Sequence, residues 1–228
     1  MAEFKFTRPN SFPPIVKNLI IINVLVFLGQ LSLTQFQFTE RIMLYPVKHP
    51  EFAPYQVATH MFAHAPNMLF HILFNMFALW MFGRVLENVW GPKRFLLFYL
   101  ACGVGAAFAH LAVQYITWEQ MEAAYAAGNL AKAQSYAASL GPALGASGAV
   151  MGIFAAFAYL FPNTELFLMF IPFPIKAKWL VLGLAAFDLL GGVAKFSTGI
   201  AHFAHLGGAV TGFIIVLIWN KSSRRRFY

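Results

Sequence analysis

Six long apolar runs alternate with polar or proline-bearing stretches along this chain: 19–33, 68–85, 95–115, 143–161, 179–193 and 200–219. Each is long enough, or nearly so, to cross a hydrocarbon core of ~30 Å as a helix. The first and fifth are the shortest, and the fifth is expected to begin nearer Ile175. The pattern therefore predicts an all-α polytopic membrane bundle of six spans over 19–220. A polar N-terminal segment, 1–18, with Pro9, Pro13 and Pro14, and a basic tail, 221–228, flank it in water. The first run follows polar residues and lacks a small-x-small exit, so it reads as an uncleaved first span.

Two connections are long. Segment 34–67 carries Pro46, Pro50, Pro54 and Pro66 among many aromatics, and is expected to rest as a partly buried loop at the outer interface. Segment 117–140 is rich in Ala, Glu, Gln and Lys, which predicts one or two short surface helices broken at Gly128-Asn129. No internal repeat stands out, so an inverted-repeat transporter gains no support.

Composition agrees with the membrane reading. The 228 residues are 60% hydrophobic and only 11% charged, whereas soluble domains have about 25% charged residues. The net charge of +8 does not point to nucleic acid, because the basic residues stand in short groups beside apolar runs. With both termini cytoplasmic, the inner side receives Lys5, Arg8, Lys17, Arg84, Lys93, Arg94, Lys176, Lys178, Lys221 and Arg224–Arg226. The outer side receives only Arg41, Lys48, Lys132 and Lys195. Trp90, Trp179 and Trp219 then fall at the inner boundary, where indole rings favour the headgroup level. The single cysteine, Cys102, excludes an internal disulfide framework.

Polar side chains inside spans are costly and mark function by default. The second run carries His71 and Asn75, at i and i+4 on one helix face. Residues 141–152 read GPALGASGAVMG and place Ser147 between Gly145 and Gly148, with Gly152 one turn on. The sixth run carries His202 and His205, with Gly208 and Gly212 continuing the His205 stripe. Spans two, four and six all enter from the outer side, so these groups lie at one depth. A Gly208/Gly212 face against Gly148/Gly152 would let two backbones approach closely. His205 then suits the base that activates Ser147, while Asn75, His71 and the Ser147 N–H suit an oxyanion. Ala149 stands where a G-x-S-x-G elbow needs glycine, so the serine segment taken alone reads first as a packing seam with an incidental serine. No aspartate evidently completes a triad, and Asp188 in the fifth run is expected to cap or bond near its own helix end.

HILFNM at 71–76, GASG at 145–148 and AHLGGAVTG at 204–212 resemble, in order and spacing, the signature segments of the rhomboid intramembrane serine proteases of the bacterial six-span type. The likeness covers roughly 52–220. It implies Ser147 as nucleophile and His205 as base in a dyad that needs no acid. It implies His71, Asn75 and Ser147 as oxyanion donors, and single-span membrane proteins as substrates. Glu87 matches a structural acid below the second span, and 52–64 resembles the end of the first outer loop. Two departures stand out: Met151 replaces a tyrosine that packs on the base in some members, and the 117–140 connection is longer.

His60 and His64, at i and i+4, suggest a metal pair with His71, but no H-E-x-x-H or suitably spaced carboxylate accompanies them. Structural hydrogen bonding is expected there instead, and no metal or cofactor is implied. His202 is the alternative base, one turn outward on the same face. His110 reads as a packed or loop-bonded histidine. The expectation is an intramembrane serine endopeptidase in a bacterial plasma membrane, with its site open to the outer side. The compact layout and absence of a targeting extension suggest that location. The rivals are a catalytically silent rhomboid-like chaperone or adaptor, and a small transporter.

Overall fold

A buried acid starts the first helix of the computed structural model. Pro14 opens α1 (Pro14–Ser32), where its missing N–H has no intrahelical acceptor to lose. The carboxylate of Glu87 accepts from the next two donors, Ile15 N at 3.0 Å and Val16 N at 2.8 Å. Orphan donors and the positive end of the helix dipole are thereby both met. The helix begins about a turn ahead of the apolar run at Leu19, and Val16 is fully buried. Residues 9–167, 173–194 and 201–222 are described. Lys5, Arg8, Lys195 and Arg224–Arg226, invoked above for orientation, lie outside them.

Each of the six apolar runs returns as a helix. The second is α2 (Leu69–Trp90), interrupted by a π-helical turn at Leu79–Gly83. The third, α3 (Pro92–Ala126), continues well past the expected end. At 1.5 Å per residue it is roughly 50 Å long, far more than a ~30 Å core requires. The first half of the 117–140 connection is therefore an extension of the third span, not a separate surface helix. Helix formers propagate a helix as readily in water as in lipid, so composition alone could not place the end. The break does fall at Gly128, whose φ of +72° ends the run. Asn129 then accepts from Lys132 N at 3.1 Å to start α4 (Leu130–Ala137).

The overhanging part of α3 is tied to the 34–67 loop by Lys48, which pairs with Glu119 and, at 2.8 Å, with Glu122. That loop folds around buried Gln56, whose Oε1 accepts from Tyr45 N and Ala53 N and whose amide donates to Glu51 O at 2.9 Å. Gln30 of α1 clasps the loop's far end, bonding the His64 carbonyl and N–H at 2.9 Å each. A Leu44–Ala143 bridge joins the loop to the chain leading into α5 (Ser147–Leu160). The fourth helix thus starts at Ser147, with 143–146 held outside it.

A short antiparallel hairpin, β1 (Glu165–Leu166) with β2 (Ile175–Lys176), precedes α6 (Ala177–Val193), so the fifth helix starts just after Ile175. The last helix is α7 (His202–Ser222). Among the described residues, α1, α2, α3 and α7 are long and apolar enough to cross a membrane, and α5 is a shorter apolar helix. Their outward faces carry Leu25, Phe70, Phe74, Leu97, Phe108 and Ile218, all more than half exposed. Only a lipid solvent makes such a belt favourable. At the Trp90 end of α2 the Trp90 and Trp219 rings meet edge to face, 5.3 Å apart.

Candidate active site

The site is built where two glycine-lined helices touch. A methyl group built on Gly208 would strike the Gly148 carbonyl oxygen, and one on Gly212 would lie 2.6 Å from Gly152 Cα. One on Gly152 would lie 2.9 Å from Gly208 O and collide with Cys102 Sγ. At these glycines there is no room for a side chain between α5 and α7, so their backbones lie in contact, as small residues permit inside membranes. Gly148 has Ala106 of α3 as its other neighbour. The three helices therefore lock together beside Ser147.

This contact brings the predicted pair together. His205 Nε2 lies 2.7 Å from Ser147 Oγ, 58 residues apart in sequence. Ser147 is the first residue of α5, so its N–H has no intrahelical acceptor. His202, the alternative base, is directed instead to Asp188 of α6 at 2.8 Å. Met151 packs with Ala155 and Ala209 in a small apolar cluster.

Asp188 is expected from the sequence to cap or bond near its own helix end. Among the described residues its carboxylate bonds the Nδ1 atoms of two histidines on α7. Oδ1 accepts from His202 and, at 3.1 Å, from His205, while Oδ2 lies 3.2 Å from His205 Nδ1. Both His202 and Asp188 are almost fully buried. The only sequence signal was an acid inside an apolar run, which marks a site but names no partner.

His71 approaches from α2. Its Nδ1 accepts from Ala65 N at 3.3 Å, which leaves the ring proton on Nε2. A methyl group built on Gly145 would lie 2.8 Å from that Nε2 and 3.5 Å from Ser147 Oγ. Gly145 also holds φ at +123°, so both space and backbone demand glycine there. Asn75, one turn deeper, is buried and donates one amide proton to the His71 carbonyl at 2.8 Å. Its second amide proton has no assigned acceptor.

The segment before Ser147 is fixed from several sides. Gly145 N donates to His60 O at 2.9 Å, Gly141 N donates to Gln114 Oε1 at 3.1 Å, and His110 Nε2 lies 3.3 Å from Gly141 O. His60 Nδ1 is 3.0 Å from Gln56 O, and His64 Nδ1 is 3.3 Å from Phe62 O. Burial pushes both rings down to about 4, and the neighbouring His71 adds to the effect on His64. Among the described residues no group of three His, Cys, Asp or Glu is arranged to hold a metal ion.

Comparison with known proteins gives the same frame. The Rhomboid domain family model matches residues 51–222. The chain is 31% identical over 213 residues to the human presenilin-associated rhomboid-like protein, mitochondrial, covering 90% of this chain and 50% of that one. It is 28% identical over 228 residues to Rhomboid protein 1, mitochondrial, of Saccharomyces cerevisiae, covering 94% of this chain and 59% of that one. It is 32% identical over 160 residues to RHOMBOID-like protein 12, mitochondrial, of Arabidopsis thaliana, covering 69% and 44%. The chain spans about half the length of these curated relatives.

Proposed function

Since the chain belongs to the rhomboid family, and is an integral membrane protein, we propose that it is an intramembrane serine endopeptidase acting on single-span membrane proteins. The observation that carries this reading is the 2.7 Å contact between His205 Nε2 and Ser147 Oγ. Serine is a weak nucleophile until a base accepts its proton. His205 Nε2 takes the Oγ proton as Oγ attacks a substrate carbonyl carbon, and the carbonyl oxygen becomes an oxyanion. The Ser147 N–H, the His71 Nε2–H and the Asn75 amide converge on that oxygen. His205 then gives its proton to the departing amine. Water, activated by the same ring, next hydrolyses the acyl-enzyme and frees Ser147.

The six apolar runs supply six membrane crossings in this reading, and the lysine and arginine bias puts both termini on the inner side. Ser147, His71 and His205 each stand in the first turn of a helix that enters from the outer side. The site is thus open to hydrolytic water there, while a substrate helix end arrives laterally from lipid. The relatives' names place them in mitochondria, so residence in a bacterial plasma membrane draws no support from them. The chemistry requires only a bilayer.

The test is incubation of the purified chain in proteoliposomes with a panel of single-span substrates, followed by mass mapping of the cut. Ser147→Ala and His205→Ala each abolish cleavage without loss of fold, because the two groups act as a unit. His202→Ala slows cleavage without abolishing it, because Ser147 and His205 both remain. A fluorophosphonate probe labels Ser147 in the wild type. An adaptor or transporter would neither cut nor label.

A further inference from the structure

A Ser–His pair does not by itself account for the acid behind the base. Asp188 is 3% exposed within a membrane helix, where an unpaired carboxylate is costly. Two imidazole N–H donors compensate it. We propose that Asp188 is the positioning residue of His205, extending the pair to a Ser147–His205–Asp188 relay, with His202 as the donor that fixes the carboxylate. The proposal rests on the endopeptidase reading and deepens it.

The tautomer provides the argument. A carboxylate facing His205 Nδ1 at 3.1 and 3.2 Å keeps a proton on that nitrogen. The lone pair then stands on Nε2, facing Ser147 Oγ at 2.7 Å. The opposite tautomer would present N–H to the hydroxyl and could not accept its proton. When Nε2 takes the Oγ proton, the imidazolium forms already paired with a negative charge. The proton later passes from Nε2 to the leaving amine, and Asp188 stays ionised throughout.

The second histidine is seated, not incidental. A methyl group built on Gly191 of α6 would lie 2.6 Å from His202 Nε2, so that glycine leaves room for the ring. Gly192 makes the same accommodation for the Phe203 ring, and Phe187 meets His202 edge to face at 5.6 Å. These contacts dock α6 on the start of α7 and fix Asp188 Oδ1 at 2.8 Å from His202 Nδ1. Among the described residues, the groups around His205 that can gain or lose a proton are His202 on its own helix, Asp188 on α6, Ser147 on α5 and His71 on α2. Helix α3 meets α7 here through Gly105, Ala106 and Ala109, which carry no charge.

The experiment measures kcat and KM in proteoliposomes for the wild type, Asp188→Asn, His202→Gln and His202→Ala, with thermal unfolding as the fold check. Asp188→Asn should lower kcat by about 10²–10⁴ with KM little changed. His202→Gln keeps an amide donor for Asp188 and should lose less of the rate than His202→Ala, which removes the donor. Asp188→Asn within threefold of wild type would overturn the proposal. On the wild type alone, ¹⁵N-histidine spectra should show the neutral His205 ring protonated at Nδ1, and an Nε2–H tautomer overturns it even if Asp188→Asn does not fold. A wild type that neither cleaves nor labels at Ser147 removes the endopeptidase reading itself. A wild type that cleaves, matched by Asp188→Asn, removes only Asp188.

Discussion

Replacing Gly208 by alanine tests whether backbone contact between α5 and α7 sets the catalytic distance. The added methyl would strike the Gly148 carbonyl oxygen and lie 2.6 Å from its carbon, where real Cβ atoms essentially never come closer than 3.0 Å. The obstacle is helix backbone, which cannot rotate aside as a side chain does, so the helices must part by on the order of 1 Å. Gly148 adjoins Ser147, and Gly208 is one turn from His205 on the same face. The separation therefore opens the 2.7 Å Nε2–Oγ contact beyond hydrogen-bonding range. A misplacement of about 1 Å costs about 10²-fold in rate, and overpacking costs about 1–3 kcal/mol in stability. The assay is turnover per fluorophosphonate-titrated site, beside a thermal unfolding curve. Gly183→Ala is the control, since a methyl there meets nothing within 4 Å. Wild-type turnover, within threefold, in a folded Gly208→Ala protein would refute the reasoning.

Asn75→Ala should lower turnover by about 10²–10³ with little change in apparent affinity, because an oxyanion donor acts mainly in the transition state. A purely structural Asn75 would instead lower thermal stability and leave turnover per site near normal. Glu87→Ala strands the N–H groups of Ile15 and Val16 and should cost about 1–3 kcal/mol of stability. Unfolding curves should show this loss without a fall in turnover per site, and Glu87→Gln should recover part of it. Acidification tests the buried histidines: His60 and His64 fall from 6.5 to about 4 in the folded chain. Between those values the unfolded chain binds more protons, so stability rises with pH across the window and is lost on acidification. His64→Gln should flatten that slope in melting curves taken from pH 7 to pH 4.

The helices were legible in the chain because apolar runs are local facts, while Ser147 and His205 stood out through their shared depth and the likeness of their segments to the family's. Apolar runs of membrane length must satisfy their backbones internally, which makes them helices whatever surrounds them. Periodicity then places His71 with Asn75, and His205 with Gly208 and Gly212, on single faces. Matched glycine spacings on two helices further predict that their backbones meet, as they do at Gly148 and Gly208. What lies between helices was not legible. Asp188 reaches His205 only through the rotation of α6 about its axis, and a span that is apolar nearly all round gives no sign of that rotation. The Glu87 cap joins residues more than seventy positions apart, and nothing near Pro14 names its acceptor. The extension of α3 past the apolar run was not legible either, since helix propensity alone does not say whether 117–126 continues that helix or starts another. Local periodicity specifies which side chains share a face, whereas the facing of one helix toward another is a property of the packed bundle, and that packing alone brought the acid to the base.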